Sequence, residues 1–298
     1  MSRWHKEGTV RTDKDGFVLL DRPASLHDAA HRVPAPDAPV SLKTIALPVE
    51  HGGWGMLAEP LVMGLLLAPT LAGLGLAVAA LGAFLVRHPL KLALSDWRRG
   101  TRYPRTMLAA RVAAVYATFA LCGLALAVWR APAAAWLPVL VAAPLGLLQL
   151  WYDARLQGRQ LLPELLGGVA LGAGASALML AGGWAMAPAL AAWALLAAKA
   201  VASVVYIRAR LRLDRGQPAS RGPGVLAHVA ALGLAVTLAL FGWGPWLGVA
   251  AFTVLLARAA HGLSSWHRRV RPQVVGFTEL AYGTLTALLL CIGYLARV

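Results

Sequence analysis

Nine apolar runs follow one another between residues 52 and 296, and each is about long enough to cross a membrane as a helix. A span of about 20 apolar residues crosses the hydrocarbon core of a bilayer. With 59% hydrophobic and 14% charged residues, the chain has more apolar surface than a soluble domain can bury. The sequence therefore predicts an all-α fold, a polytopic membrane helix bundle with about nine transmembrane helices. The expected spans are residues 52–68, 70–87, 106–129, 134–152, 161–181, 185–206, 225–241, 245–261 and 275–296.

Residues 1–47 differ from the rest of the chain and are predicted to form a polar, flexible, cytoplasmic N-terminal tail. Pro34, Pro36 and Pro39 favour an extended linker near its end. The first twenty residues are charged and lack the apolar stretch of a signal peptide, so we expect no cleavable leader. Residues 48–298 are predicted to form the transmembrane helical domain.

The loops between the predicted spans alternate in charge. Seventeen Lys and Arg residues lie in four alternate segments, residues 87–105, 153–160, 207–221 and 257–273. The intervening loops and the C-terminus contain only Arg130 and Arg297. Because basic loops stay on the cytoplasmic side, the pattern predicts a cytoplasmic N-terminus and an external C-terminus. Topology thus explains the net charge of +15, so the lipid bilayer is an expected partner and nucleic acid is not.

Motifs of well-known chemistries do not occur in this sequence. Cys122 and Cys291 lie inside apolar runs, at a spacing that predicts neither a disulfide nor a thiolate metal site. A nucleotide-binding loop, a Ser-His-Asp series and a His-rich metal motif are also missing from the sequence.

Acidic residues beyond the tail are few, and they share one predicted level. They are Glu50, Glu59, Asp96, Asp153, Glu164, Asp214 and Glu279. On the predicted topology, each lies in a cytoplasmic loop or within about two turns of a cytoplasmic helix end. Lys199 is expected about two turns inside the cytoplasmic end of its span, with Ser203 and Tyr206 on the same helix face. Since an intramembrane lysine faces the protein interior and has an acidic partner, we expect a polar cavity that faces the cytoplasm.

Simpler roles are open for several of these residues. Glu164 and Glu279 lie near helix starts, where a carboxylate caps free N–H groups. Lys199 has a side chain long enough to reach toward the inner surface, and the aspartates of the basic loops have arginines nearby as partners.

Three segments of the sequence resemble the YwiC-like family of multi-pass bacterial membrane proteins. They are EHGGWGMLAEP at 50–60, YDARLQGRQLLPELLGG at 152–168 and RPQVVGFTELAYG at 271–283. The resemblance covers about residues 45–297. It implies a location in the bacterial cytoplasmic (inner) membrane and no established activity.

The chain also resembles, more distantly, the UbiA-type prenyltransferases. The similarity lies in nine spans, long cytoplasmic loops after the second and sixth, and Tyr152 followed by the basic Arg155. It implies a UbiA-like architecture and an active site open to the cytoplasm, where paired aspartates hold Mg²⁺ on a prenyl diphosphate. Here each loop has one aspartate, Asp96 or Asp214, which makes a poor clamp for two metal ions. These two are the candidate ligands, and Mg²⁺ is the candidate cofactor.

Three functional hypotheses follow. The first is binding, with or without transfer, of an isoprenoid or lipid-phosphate ligand, with Arg99, Arg208 and Arg210 on the anionic head. The second is a transporter or proton- or ion-coupled carrier that uses Glu59, Lys199 and Glu279 as a relay. The third is a membrane assembly or scaffold protein, in which the polar groups pair off. Oligomeric state and catalytic residues are left open.

The candidate cavity and ligand-binding residues are Glu50, His51, Glu59, Lys91, Asp96, Arg99, Tyr152, Arg155, Glu164, Lys199, Tyr206, Arg208, Arg210, Asp214 and Glu279.

Overall fold

A computed structural model describes residues 11–12, 18–19, 42–47, 51–100, 103–155 and 157–298. For residues 11–12, 18–19 and 51–52 it describes the backbone alone. The chain divides into two units, residues 1–40 and residues 41–298. In the first unit, strands β1 (Arg11–Thr12) and β2 (Val18–Leu19) pair antiparallel, with Arg11 opposite Leu19. The predicted flexibility of residues 1–47 concerns residues that lie mostly outside the described ranges and stays a prediction.

The second unit is helical. Its helices are α1 Leu42–Ala46, α2 His51–Leu67, α3 Leu71–Arg98, α4 Pro104–Arg130, α5 Trp136–Ala154, α6 Leu161–Ala181, α7 Met186–Asp214, α8 Gly222–Leu240, α9 Trp246–Leu263 and α10 Pro272–Ala296. A single 3₁₀ turn, Ala133–Ala135, precedes α5.

Helix length and composition confirm the predicted all-α polytopic bundle. Eight helices in the described part of the chain, α3 to α10, are long and apolar enough to cross a membrane. The ninth, α2, is apolar as well but has 17 residues.

Two helices extend well beyond the expected spans. The span expected at 70–87 is part of α3, which continues to Arg98, and the one expected at 185–206 is part of α7, which continues to Asp214. The added segments are rich in Leu, Ala, Arg and Lys, which are strong helix formers even where they are too polar for a membrane. Both helices end before a glycine with a left-handed backbone, Gly100 at φ 68° and Gly216 at φ 73°.

Ion pairs and hydrogen bonds bring alternate helix ends together at one end of the bundle. Lys91 of α3 contacts Asp153 of α5 at 3.1 Å, and Arg210 of α7 donates a hydrogen bond to the Gly262 carbonyl of α9 at 2.7 Å. We call this the basic end, because it contains the four Lys- and Arg-rich segments. The other end is called the apolar end.

Exposed tryptophans mark both ends of the bundle. Trp97, Trp151 and Trp266 lie at the basic end, and Trp129, Trp243 and Trp246 lie at the apolar end. Tryptophan is enriched at membrane interfaces because its ring is apolar and its N–H is polar. The two belts agree with a bundle that spans a bilayer.

Helix α6 lies at the centre of the second unit and packs against α2, α3, α5 and α7. Helix α10 contacts α2 on its other side and also contacts α7 and α9. The small residues Gly168 and Gly172 let α6 approach α7 closely: a Cβ at Gly168 would lie 3.0 Å from Ala200 Cβ. The helices α2, α6, α7 and α10 therefore surround a common interior region.

Candidate functional site

An ion pair occupies the middle of the bundle. The Lys199 ammonium of α7 donates to the Glu59 carboxylate of α2, and the two side chains are only 11% and 10% exposed. Glu59 is the middle residue of α2, and Lys199 is next to the middle of α7. The sequence placed Lys199 about two turns from a helix end. The extension of α7 puts it about four turns from that end, in the bundle interior rather than snorkelling to the surface.

A glycine on the third helix makes room for this pair. A Cβ at Gly283 of α10 would overlap the Glu59 carboxylate and would lie 2.8 Å from Lys199 Nζ. Gly283 is next to the middle of α10. The two charged groups therefore occupy the space that any larger residue at this position would need.

A small cavity adjoins the ion pair between α2, α6 and α7. Its volume is about 30 Å³, which holds about two water molecules. Its lining consists of Met56, Glu59, Pro60, Gly168, Gly172, Leu196, Lys199, Ala200 and Ser203. Carboxylate, ammonium and hydroxyl groups thus face a space of water size, too small in this structure for an isoprenoid chain.

A second buried ion pair joins α9 and α10. The Arg258 guanidinium donates to the Glu279 carboxylate, and the side chains are 6% and 14% exposed. Arg258 also lies 4.2 Å above the ring of Tyr206, a cation–π arrangement. Arg258 therefore contacts side chains of both α7 and α10.

His228 of α8 completes this second cluster as a neutral imidazole. Arg258 Nη2 lies 2.9 Å from His228 Nε2, and His228 Nδ1 lies 2.8 Å from the Gly224 carbonyl oxygen. A guanidinium only donates and a carbonyl only accepts, so Nε2 accepts and Nδ1–H donates. This assignment follows from the partners.

The two ion pairs are neighbours along α10. Glu279 and Gly283 are four residues apart, so they share a helix face and differ by about 6 Å in height. Because Gly283 contacts the first pair, the Glu279–Arg258 pair lies one turn closer to the basic end. The four charges balance, which reduces the cost of burying them.

The half of the bundle beyond the central pair is apolar. Met63, Leu178, Met179, Leu195 and Leu290 are almost completely buried there. Among the described residues, charged side chains in this half are limited to Arg130 and Arg297 at helix ends. Polar groups thus extend from the basic end to the middle of the bundle, and apolar side chains fill the other half.

Most other candidate residues form separate ion pairs at the basic end. Lys91 contacts Asp153 at 3.1 Å, Asp96 binds Arg105 at 2.9 Å, and Arg208 binds Glu164 at 2.8 Å. Asp96 also accepts a hydrogen bond from Thr106 at 2.8 Å. These pairs connect neighbouring helices and do not converge on the central cavity.

Arg210 and Asp214 connect the end of α7 to the α9–α10 turn. Arg210 donates to Asp214 at 3.0 Å, to the Gly262 carbonyl at 2.7 Å and to the Arg268 carbonyl at 2.5 Å. The other Asp214 oxygen lies 3.9 Å from His267 Nε2. The buried Arg210 guanidinium is thus fully engaged within the protein.

The remaining candidates lie on the surface or outside the described side chains. Arg99 is exposed after α3, and the exposed Arg155 stacks 3.9 Å above Trp151, whose ring contacts Tyr152 edge to face. Glu50 lies outside the described residues, and the His51 side chain is not described.

A metal centre is not evident in the described part of the chain. No group of three or more His, Cys, Asp or Glu side chains there is arranged to hold a metal ion. Asp96 and Asp214 have different arginine partners on different helices. Mg²⁺ binding by these two residues stays a prediction.

Sequence reasoning omitted three residues from the candidate list that belong to the central site, namely Ser203, His228 and Arg258. Arg258 stands in the apolar run VLLARAAHG, so it carried the same signal as Lys199, a base within a span that needs an acidic partner. Its place at the start of the basic segment 257–273 hides this signal. Nothing in the sequence around His228 indicates its arginine partner.

The fold and the buried charges define the class of protein, a polytopic α-helical membrane protein with a charged site inside its bundle. Residues 47–179 match the family model described as YwiC-like protein. That range includes most of α2 to α6 and two of the three motifs, and over it the chain is similar to YwiC-like proteins. No curated protein and no solved structure matches the chain significantly. The similarity to UbiA-type enzymes therefore stays a prediction.

Proposed function

We propose that this chain is a proton-coupled membrane carrier and that the Glu59–Lys199 pair is its proton-binding site. The observation that carries the proposal is an ion pair at the middle of the helices, beside a cavity of water size. Ionisable groups at such depth are costly in a membrane and mark ion pathways and proton relays. A space for about two waters admits a proton more readily than any larger solute.

The chemistry of the site suits reversible proton binding. A proton that reaches the cavity forms an O–H bond with the Glu59 carboxylate and breaks its ion pair with Lys199, leaving one extra positive charge. Loss of that proton restores the pair. The Glu279–Arg258 pair, one turn nearer the basic end, supplies a second carboxylate on the same side.

The apolar half of the bundle fits a carrier closed at one end. Met63, Leu178 and Leu290 separate the central pair from the apolar end, so release on that side requires the helices to move apart there. By the distribution of basic residues, the basic end faces the cytoplasm. This orientation in the bacterial inner membrane, with the N-terminus on the cytoplasmic side and the C-terminus on the external side, is part of the proposal.

Proton uptake into proteoliposomes tests the function. With a potassium diffusion potential and a pH-sensitive dye inside the vesicles, we expect uptake by the wild-type protein and none by the Glu59→Gln variant. Glu164→Gln is the matched control, because it removes a carboxylate from an ion pair at the basic end. Uptake that equals that of empty vesicles, or that persists in Glu59→Gln, would contradict the proposal.

A second candidate function is binding of an isoprenoid or lipid-phosphate ligand at the basic end, with or without group transfer. It is favoured by exposed cations, with Arg99 in solvent and the Arg208 side chain 42% exposed. Arg210, the third arginine expected on the anionic head, is committed to Asp214 and two carbonyl oxygens. The ligand would then lie on the surface of the basic end.

Thermal stabilisation by farnesyl diphosphate, with and without Mg²⁺, tests this second function. If it holds, the melting temperature rises with the ligand, and Arg99→Ala and Arg208→Ala reduce the rise. Arg130→Ala at the apolar end is the control, and the melting temperature of this variant should still rise with the ligand. An unchanged melting temperature under both conditions would eliminate this candidate.

A further inference from the structure

Ser203 presents an unused hydroxyl to the central cavity. It lies four residues after Lys199 on α7, so the two side chains share a helix face. The residue is only 6% exposed and lines the cavity with Glu59 and Lys199. Its Oγ has no hydrogen-bond partner among the described residues.

A buried hydroxyl without a partner is costly and rare in folded proteins. Ser and Thr hydroxyls within helices commonly donate to the carbonyl one turn earlier, as Thr237 and Thr286 do here. Ser203 does not donate in this way, although the carbonyl one turn earlier is within reach of a serine in a helix. Its hydroxyl is therefore available to a group in the cavity.

Size and polarity limit what that group can be. The cavity volume of about 30 Å³ corresponds to about two waters. A bare anion would meet the Glu59 carboxylate and a bare cation would meet the Lys199 ammonium, whereas water can donate to the first and accept from the second.

We propose that the cavity is a hydration site in which Ser203 holds water against the Glu59–Lys199 pair. This inference rests on the proposed function and deepens it, since the bound water is the species that delivers protons to Glu59. Ser203 is a positioning residue in this scheme: it orients the water, and the proton itself binds the carboxylate.

Two methionines on α2 provide a direct readout of this water. Met56 lines the cavity, whereas Met63, two turns further along the same helix, is completely buried in apolar surroundings. Hydroxyl radicals made from bound water by X-ray radiolysis oxidise a neighbouring methionine sulfur. Mass spectrometry of the intact protein irradiated in lipid nanodiscs measures both residues in one sample.

In the wild-type protein we expect rapid oxidation of Met56 and only background oxidation of Met63. Ser203→Val fills the cavity and should lower Met56 oxidation to the Met63 background. Ser203→Ala keeps the space but removes the hydroxyl and should give a severalfold reduction, which tests the inference even if the valine variant does not fold. Ser176→Ala is the control, because Ser176 is also buried without a partner among the described residues but does not line the cavity.

The inference would be overturned if Met56 is oxidised only at background level in the wild type. It would also be overturned if Ser203→Ala leaves the oxidation of Met56 unchanged. The experiment detects water and not transport, so the two proposals can fail separately. Proton uptake that depends on Glu59 without a Ser203-dependent signal at Met56 would remove only the hydration site. A Ser203-dependent signal without proton uptake would remove only the carrier function.

Discussion

Replacing Lys199 with methionine is expected to destabilise the protein by about 3–5 kcal/mol, because the Glu59 carboxylate would lose its partner in the bundle interior. Glu59→Gln should have a similar effect, since it leaves the ammonium unpaired. The double variant Glu59→Gln/Lys199→Met has neither charge and similar side-chain volumes, so we expect it to recover most of the lost stability. Unfolding of the purified protein, followed by the fluorescence of its 11 tryptophans, measures all three.

The Arg208–Glu164 pair provides the matched control. Its side chains are 42% and 33% exposed, and exposed ion pairs contribute only about 0–1 kcal/mol. Arg208→Met should therefore have little effect on unfolding. Equal losses at both pairs, or additive losses in the Glu59/Lys199 double variant, would show that the central charges are not coupled as the structure indicates.

Substitution of Gly283 by alanine is expected to displace the central ion pair. The added Cβ would overlap the Glu59 carboxylate and approach Lys199 Nζ to 2.8 Å. These atoms are the ends of flexible side chains, so the backbone can stay in place while the pair itself has to move. We expect a stability loss of about 1–3 kcal/mol, typical of overpacking, together with loss of proton uptake.

Gly276→Ala is the control for this substitution on the same helix. A Cβ at Gly276 would meet no atom within 4 Å, and alanine favours a helix over glycine by about 1 kcal/mol. That variant should be as stable as the wild type or slightly more so. Normal stability and normal proton uptake in Gly283→Ala would show that the ion pair does not need this space.

The fold was predictable from the sequence because hydrophobic span length is a local signal. Helix ends were less predictable, because the Leu, Ala, Arg and Lys residues after 87 and after 206 continue a helix in water as readily as in a membrane. That uncertainty mattered for the site. With α7 ending at Asp214 instead of 206, Lys199 lies near the middle of its helix and not near its end.

The site was predictable only in part. Glu59 and Lys199 were identifiable as polar groups inside apolar spans, and a partner of opposite charge was expected for the lysine. Which acid pairs with it depends on how α2, α7 and α10 pack, and one sequence contains no information on distances between helices. The Arg258–His228 contact and the space at Gly283 also depend on how the helices pack, so the sequence does not indicate them.

The family match covers only one of the four buried charges of the site. The match to YwiC-like proteins spans residues 47–179 and includes Glu59. Lys199, Arg258 and Glu279 lie beyond it, so the partners of the central carboxylate come from the C-terminal half. The Glu59–Lys199 pair therefore depends on helices from both parts being packed together.

Proton uptake by proteoliposomes containing the Glu59→Gln/Lys199→Met double variant shows whether the central ion pair binds the transported proton. This variant should fold nearly as well as the wild type, so a loss of function cannot be assigned to unfolding. If the central pair binds the transported proton, uptake is absent although the melting temperature has recovered. Wild-type uptake in the well-folded double variant would show that the pair is structural and does not bind the transported proton.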